Sequence, residues 1–155
     1  MVRMTAPLPM EFIESDFVVL KEDYSRYHLH DGTILKVKIV VRKILRTPIL
    51  TAQGYPTSVS MDTVNVVSAI VPAALKRPPS KEPWDPARDV GTEVKFDPIE
   101  EKWQEYMTTD GFRVLVKPVV VKVIRYDKYN SFGEPIYSAV IQSITNIEKV
   151  AATGP

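Results

Sequence analysis

Two histidines near the start of the chain are its most obvious candidates for binding a metal ion. His28 and His30 are two residues apart, so on a β-strand both side chains project from the same face. Asp31 follows directly and could add a carboxylate. No third ligand is indicated, and an internal repeat described below has Met107 and Thr109 at the matching positions. We therefore expect no metal site and interpret the histidine pair as the solvated face of a hairpin.

Residues that could carry out catalysis are scarce. The chain has no cysteine, which excludes disulfides, thiolate zinc sites, iron–sulfur clusters and cysteine nucleophiles. A serine or threonine nucleophile needs a base and an orienting group, and no such pattern is present. The six glycines are not clustered, so there is neither a phosphate-binding loop nor a dinucleotide fingerprint. These observations favour a non-enzymatic protein that needs no cofactor.

Six basic residues are the strongest candidates for a binding site, because they recur at matching positions in both halves of the chain. The 20 lysines and arginines are balanced by 19 acidic residues, so a net charge of +1 gives no long-range attraction to nucleic acid or acidic membranes. One interpretation is a groove for phosphate or a nucleic-acid backbone. The other is that lysines on exposed strands prevent edge-to-edge pairing of sheets. The six residues are Lys38, Lys43, Arg46, Lys117, Lys122 and Arg125.

A proline-rich connector, residues 71–98, lies between the two halves. It holds six of the 13 prolines and therefore cannot donate the hydrogen bonds of a central strand. Trp84 lies among these prolines. We expect Trp84 to pin the connector to the surface of the protein. The alternative is that Trp84 anchors a partner, because tryptophan is enriched at binding hot spots.

The elements that must position these residues form an internal repeat with an offset of 79 positions. Residues 27–56 and 106–135 align without a gap, and 11 of the 30 pairs are identical. Two copies are too few for a solenoid, so we expect one domain, 1–155, with a pseudo-two-fold axis. In such a domain each half covers the open sheet edge and the apolar face of the other. The first repeat is assigned to residues 14–70 and the second to residues 93–150.

Each repeat is predicted to be a three-strand antiparallel meander. The first strand ends at Asp31-Gly32, matched by Asp110-Gly111, which predicts a hairpin with a type I′ turn. The remaining strands are expected where valine and isoleucine are frequent or where apolar and polar residues alternate. These segments are 33–46 and 57–70, with 112–125 and 136–150 in the second repeat.

The long second strand is predicted to contain a bulge. Its apolar residues occupy odd positions up to Ile39 but an even position at Ile44, while Lys43 is charged. This change of parity predicts one extra residue at Val40-Val41, which would bend the strand. Since a bent strand lets a small sheet turn a corner, we expect a mainly β fold with little helix, either a small barrel or a sandwich.

One short helix is expected at the start of the second repeat. Within residues 96–106, Asp97 suits the N-cap and Pro98 the first helical position. Residues 15–24 could form its counterpart or a strand equally well.

Three functional hypotheses follow from these patterns. The first is a self-associating β-protein that works by binding or assembly, because apolar and proline-rich flanks, Met4 to Phe12 and Ala69 to Pro79, lie outside the repeats. The second is a nucleic-acid-binding barrel that uses the six shared basic residues. The third is a small-anion binder or an enzyme with its site at the pseudo-two-fold axis.

The cellular setting is expected to be the cytoplasm. The N-terminal segment lacks the continuous apolar core of a signal peptide, and no apolar run approaches the roughly 20 residues that span a bilayer, so no membrane association is expected. The chain has only three glutamines and three asparagines and no cysteine. Avoidance of these thermolabile residues is typical of heat-adapted proteins, so we also predict a thermophilic source.

Overall fold

The computed structural model describes residues 11–150, and its regular structure is almost entirely antiparallel β-sheet. Helix in this range is limited to one short 3-10 turn, Ala73–Leu75, and no helix there is long and apolar enough to cross a membrane. The strands are β1 (Ile13–Ser15), β2 (Phe17–Lys21), β3 (Ser25–Leu29), β4 (Ile34–Arg46), β5 (Val59–Ile70), β6 (Thr92–Glu93), β7 (Phe96–Glu100), β8 (Gln104–Thr108), β9 (Phe112–Tyr129) and β10 (Pro135–Lys149).

The strands form two five-stranded antiparallel sheets. In the first sheet, β4 pairs with β5 along its whole length, while its other edge pairs with β3 at one end and with β1 at the other. The second sheet has the corresponding arrangement: β9 pairs with β10 on one edge and with β8 and β6 on the other. Of the two expected architectures, the closed barrel is not formed by residues 11–150. The fold is two separate sheets with a shared core.

Each sheet contains a strand from the other half of the chain. β2 pairs with β8 in the second sheet, where Phe17 lies opposite Thr108. β7 pairs with β3 in the first sheet, where Phe96 lies opposite Leu29. Because β1 belongs to the first sheet, the chain crosses between the sheets at Asp16, directly before β2.

Aromatic pairs hold the exchanged strands in place. Phe17 of β2 packs edge-on against Tyr106, with ring centroids 5.8 Å apart. Phe96 of β7 packs in the same way against Tyr27, at 5.6 Å. Such edge-to-face pairs add roughly 0.5–1.5 kcal/mol to the burial of the rings themselves. Both tyrosines are fully buried, so the exchanged strands are attached to the interior of the protein.

The core lies between the two sheets and draws on both halves of the chain. One cluster joins Tyr27, Leu35 and Val37 to Val120 and Val123. A second cluster joins residues of β4 to residues of β8 and β9 in the same manner. Because burial of apolar surface is the main favourable term in folding, neither half would retain a complete core if it were separated from the other.

The Asp-Gly hairpins are present, but the predicted type I′ turn is wrong. Gly32 has φ +96° and Gly111 has φ +95°, whereas no other residue type in the described range has positive φ, so Asp31 cannot take the first central position of a type I′ turn. Instead, the Gly32 N–H donates to the Leu29 carbonyl at 3.0 Å and Leu29 N–H donates to Thr33. The loop therefore has three residues, with glycine alone in the left-handed region.

Both long strands bend at a bulge that lies slightly beyond the predicted position. In β4 the register shifts between Val41 and Lys43, which makes Arg42 the extra residue. In β9 the extra residue is Val121. The bulge lies beyond the predicted Val40-Val41 because the alternation of buried and exposed side chains continues through Val41, which is buried.

The predicted helix within residues 96–106 is wrong. The segment forms β7 and the start of β8, and residues 15–24 likewise contain a strand, β2. Pro98 is tolerated in β7 because that strand lies at a sheet edge, where a missing N–H breaks no ladder. Pairing with β3 therefore overrides the local helix-capping signal of Asp97.

Candidate functional site

The two histidines lie on the hairpin at the end of β3. His28 is exposed, and His30 Nε2 lies 3.0 Å from the Asp97 carboxylate on β7. Among the described residues, no group of three or more histidine, aspartate or glutamate side chains is arranged to hold a metal ion. His30 thus contributes to the contact between two strands.

Two of the six shared basic residues bind the hairpin of the opposite half of the chain. Arg46 Nε lies 2.6 Å from Asp110 Oδ2, and Arg125 Nη1 lies 2.9 Å from Asp31 Oδ2. Each aspartate also accepts a hydroxyl hydrogen bond, from Ser15 at 3.0 Å for Asp110. These arginines therefore form partly buried ion pairs within the protein that connect its two halves.

Hydrogen bonding lowers the pKa of both hairpin aspartates. Burial alone would raise the pKa of Asp31, but hydrogen bonds from Tyr137, Thr33 and Arg125 together outweigh that effect. For Asp110, burial is again outweighed, by hydrogen bonds from side chains that include Arg46. Both carboxylates are consequently held in their charged form.

The lysines Lys38 and Lys117 lie beside aromatic rings. Lys38 Nζ is 4.8 Å from the centre of the Tyr24 ring and 3.9 Å from a Glu22 carboxylate oxygen. Lys117 Nζ is 5.2 Å from the ring centre of Trp103. Such cation–π contacts stabilise half-exposed lysines by about 0.5–1 kcal/mol.

The lysines Lys43 and Lys122 lie close to the bulges. Lys43 Nζ is 3.3 Å from Glu14, while Lys122 is exposed and forms no ion pair with a described residue. Three of the six basic residues belong to β4 and three to β9, so they are divided between the two sheets.

Trp84 lies against the second sheet. Its ring centre is 5.2 Å from that of Tyr126 on β9, and its indole nitrogen is buried without a hydrogen-bond partner in the described chain. This contact favours the interpretation that Trp84 pins the connector to the sheet.

A groove of about 220 Å³ opens between β5 and β10. Its floor is formed by Ile39 and Val116, both buried in the core, and no charged residue lines it. The volume is below the 300–1,000 Å³ of most small-molecule sites, so the groove suits side chains better than a cofactor. We call it the seam; its walls are Met61, Thr63 and Asn65 of β5 and Ile141, Gln142 and Ser143 of β10.

The seam is flanked by the two longest open sheet edges. β5 pairs only with β4, and β10 pairs only with β9, within the part of the chain that the structure describes. The sole charge in β5 is Asp62, which Arg42 of β4 binds at 2.8 Å. Residues 136–147 of β10 carry no charge at all. Within β10, proline and lysine occur only at the two ends, Pro135 and Lys149, and β5 contains neither residue, so the middle of both edges lacks the residues with which natural proteins prevent edge pairing.

Apolar side chains are exposed along the same two strands. Val64 and Ile70 of β5 are 41% and 52% exposed, and Val140 and Ile144 of β10 are 49% and 47% exposed. These side chains add exposed apolar surface beside the two open edges.

The remaining edges are protected by comparison. β7 has five residues and contains Asp97, Pro98 and Glu100, while β2 has five residues and ends at Lys21. A short strand with charges or proline offers few free hydrogen-bonding groups to a neighbour. The two unprotected edges thus face the same seam.

Comparison with protein-family models, with curated proteins and with solved structures finds no match to this chain. The sequence reasoning treated 57–70 and 136–150 as ordinary strands and missed the seam. The available signal was the near absence of charge over these segments.

Proposed function

We propose that this protein is a non-enzymatic β-protein that acts by assembling with further copies of itself through the seam. The observation that supports this most directly is the pair of long, almost uncharged edges of β5 and β10 on one side of the molecule, with which no other strand of residues 11–150 pairs. Free N–H and C=O groups along such edges are a template for another strand. A strand edge that pairs antiparallel with its own copy makes a closed two-fold interface.

Charge placed on the two open edges is expected to weaken this assembly. The variant Val64→Lys with Val140→Lys should raise the dimer dissociation constant at least tenfold, because lysine on an edge strand opposes pairing. Sedimentation velocity over a hundredfold range of concentration measures the change. Val121→Lys is the matched control, since Val121 is 49% exposed but lies in the central strand β9. A natural chain that stays monomeric at the highest concentration would refute the assembly function.

The fold behind this function is proposed to be a duplication with a pseudo-two-fold axis, within one domain, 1–155. The register supports it: Ile13 lies opposite Arg46, and Thr92, 79 residues further on, lies opposite Arg125. The bulged residues Arg42 and Val121 are also 79 positions apart. On this proposal, repeats 14–70 and 93–150 each supply one open edge to the seam.

Nucleic-acid binding by the shared basic residues is the second candidate function. The aromatic neighbours of Lys38 and Lys117 favour it, because an aromatic ring can stack on a base while the adjacent lysine contacts a phosphate. The ion-paired arginines and the division between two sheets weigh against it. We expect that Lys38→Glu with Lys117→Glu leaves retention on DNA and RNA fragments unchanged in a gel-shift titration. Loss of a strongly salt-dependent retention in this variant would instead favour nucleic-acid binding.

A small-anion or catalytic site in the seam is not favoured, because no charged residue lines it. The cytoplasmic setting and the thermophilic source stay predictions. Of the flanks invoked for self-association, Met4 to Met10 lies outside the described residues.

A further inference from the structure

The backbone of Asn65 faces the open edge of β5. Its partner in β4 is Ile39, and the Ile39 N–H donates to Gln104 Oε1 at 2.9 Å while the Ile39 carbonyl accepts from Gln104 Nε2. Residues opposite each other in an antiparallel pair either exchange both hydrogen bonds or direct both away from each other. Because Ile39 directs its groups towards Gln104, Asn65 directs its N–H and C=O outwards.

The side chains of β5 are arranged symmetrically about Asn65. Val64 and Val66 flank it, and Thr63 and Val67 follow on either side. In an antiparallel self-pair centred on Asn65, Val64 lies opposite Val66 of the second copy and Thr63 lies opposite Val67, so valine meets valine or threonine. Asp62, the only charge in the strand, would lie opposite Ser68 and would not meet a second aspartate. This register therefore matches apolar to apolar without a like-charge contact.

We propose that two copies of the chain join through β5, antiparallel, with Asn65 opposite Asn65 of the second copy on the two-fold axis. This inference rests on the self-assembly proposed above and specifies its register. The two asparagines exchange both backbone hydrogen bonds, and the first sheets of the two copies become one continuous sheet.

The second sheet lies within reach of the same interface. Ser143 of β10 lines the seam together with Asn65. Further along β10, the Ile147 N–H is bonded only to the side-chain oxygen of its neighbour Asn146, at 2.9 Å, which marks an outward-facing edge group. In the proposed dimer, β10 also lies beside β10 of the second copy, because β5 and β10 line the same seam. The polar walls of the seam are then covered.

Single cysteines test this register cleanly, because the natural chain has none. Opposite residues of a hydrogen-bonded antiparallel pair have Cα atoms about 5.5 Å apart, which suits a disulfide. Under mild oxidation, most molecules of Asn65→Cys are therefore expected to form a disulfide-linked dimer. The dimer should be visible on a non-reducing gel and should disappear when reductant is added. Val121→Cys, at another exposed position but on β9, is the control and should stay largely unlinked. If Asn65→Cys fails to fold, a mixture of Thr63→Cys and Val67→Cys chains should link instead.

Two outcomes separate this register from the assembly function on which it rests. Sedimentation of the natural chain as a dimer, combined with linking only in a mixture of Asn65→Cys and Ser143→Cys chains, would overturn the β5–β5 register and leave self-assembly intact. A natural chain that sediments as a monomer, with no linking of Asn65→Cys above the Val121→Cys control, would overturn both.

Discussion

Replacing Gln104 with alanine is expected to lower the free energy of unfolding by about 3 kcal/mol, because two buried backbone groups lose their partner. Gln104 is fully buried, and its amide bonds the N–H and the carbonyl of Ile39. Ile39 lies where the edge of β4 is uncovered, between the segments that pair with β3 and with β1. The glutamine therefore serves as a short substitute for the missing strand.

In the second half of the chain, the corresponding position of the long strand needs no such glutamine. The residue 79 positions after Ile39 is Pro118, which has no N–H to satisfy. The residue 79 positions before Gln104 is Ser25, whose hydroxyl instead accepts the Lys102 N–H at 2.9 Å. A glutamine is needed only where the opposite strand carries a donor.

Urea denaturation followed by circular dichroism measures the loss. Gln104→Met keeps most of the volume of the side chain but none of its hydrogen bonds, so it should be nearly as destabilising as Gln104→Ala. Gln53→Ala, in an exposed loop, is the control and should change stability by less than about 0.5 kcal/mol. The account fails if Gln104→Met is as stable as the natural chain.

Replacing Asp31 and Asp110 with asparagine is expected to destabilise the protein by about 2 kcal/mol at each site at neutral pH, between the cost of breaking an exposed ion pair and that of breaking a buried one. Removing one partner of a partly buried pair leaves the arginine without its carboxylate, and the partial exposure of Arg125, Arg46 and Asp110 reduces the cost below that of a fully buried pair. The sites are independent hairpins, so the two losses should add in the double variant.

The pH dependence of stability provides a second readout of these aspartates. The pKa of each is lowered in the folded state, so their contribution is present above the unfolded value of 3.8 and is lost as pH falls through the folded pKa. The natural chain should therefore lose stability below about pH 4, and the double variant should lose less over the same range.

A matched control separates these pairs from surface pairs. Asp62→Asn removes a carboxylate that binds Arg42 at 2.8 Å, but both side chains are more than a third exposed. Its cost should stay below about 1 kcal/mol. Equal losses for Asp62→Asn and Asp31→Asn would show that the connection between the halves adds nothing to stability.

Local patterns in the sequence predict the class of fold and most of its strands. Alternation and valine content identify β4, β5, β9 and β10, and Asp31-Gly32 marks the hairpin. The exchange of β2 and β7 between halves is not encoded locally, because which strand they pair with depends on distant apolar faces. Long-range pairing also explains why the predicted helix around Pro98 is absent from the described residues. There, strand pairing outweighs the local capping signal of Asp97.

The candidate site was harder to predict than the strands. The shared arginines Arg46 and Arg125 recur in both halves, and sequence alone cannot distinguish a ligand contact from an internal ion pair. The seam depends on which edges remain unpaired, which is a property of the whole sheet order. The low charge around Asn65 is visible in the sequence, but it is typical of a strand in the interior of a sheet, and only the pairing of the strands shows that β5 lies at an edge.

The exchange of strands between the two sheets constrains how the protein is made on the ribosome. His30 and its partner Asp97 are 67 residues apart, so β3 cannot pair with β7 until those further residues have been synthesised. At 5–20 residues per second this delay is roughly 3–13 s. During this interval the nascent first half exposes the apolar side chains of β4 and the free edge of β3 at the same time. Vectorial synthesis therefore creates a window for wrong pairing between neighbouring nascent chains, and slow translation of the proline-rich connector would lengthen it.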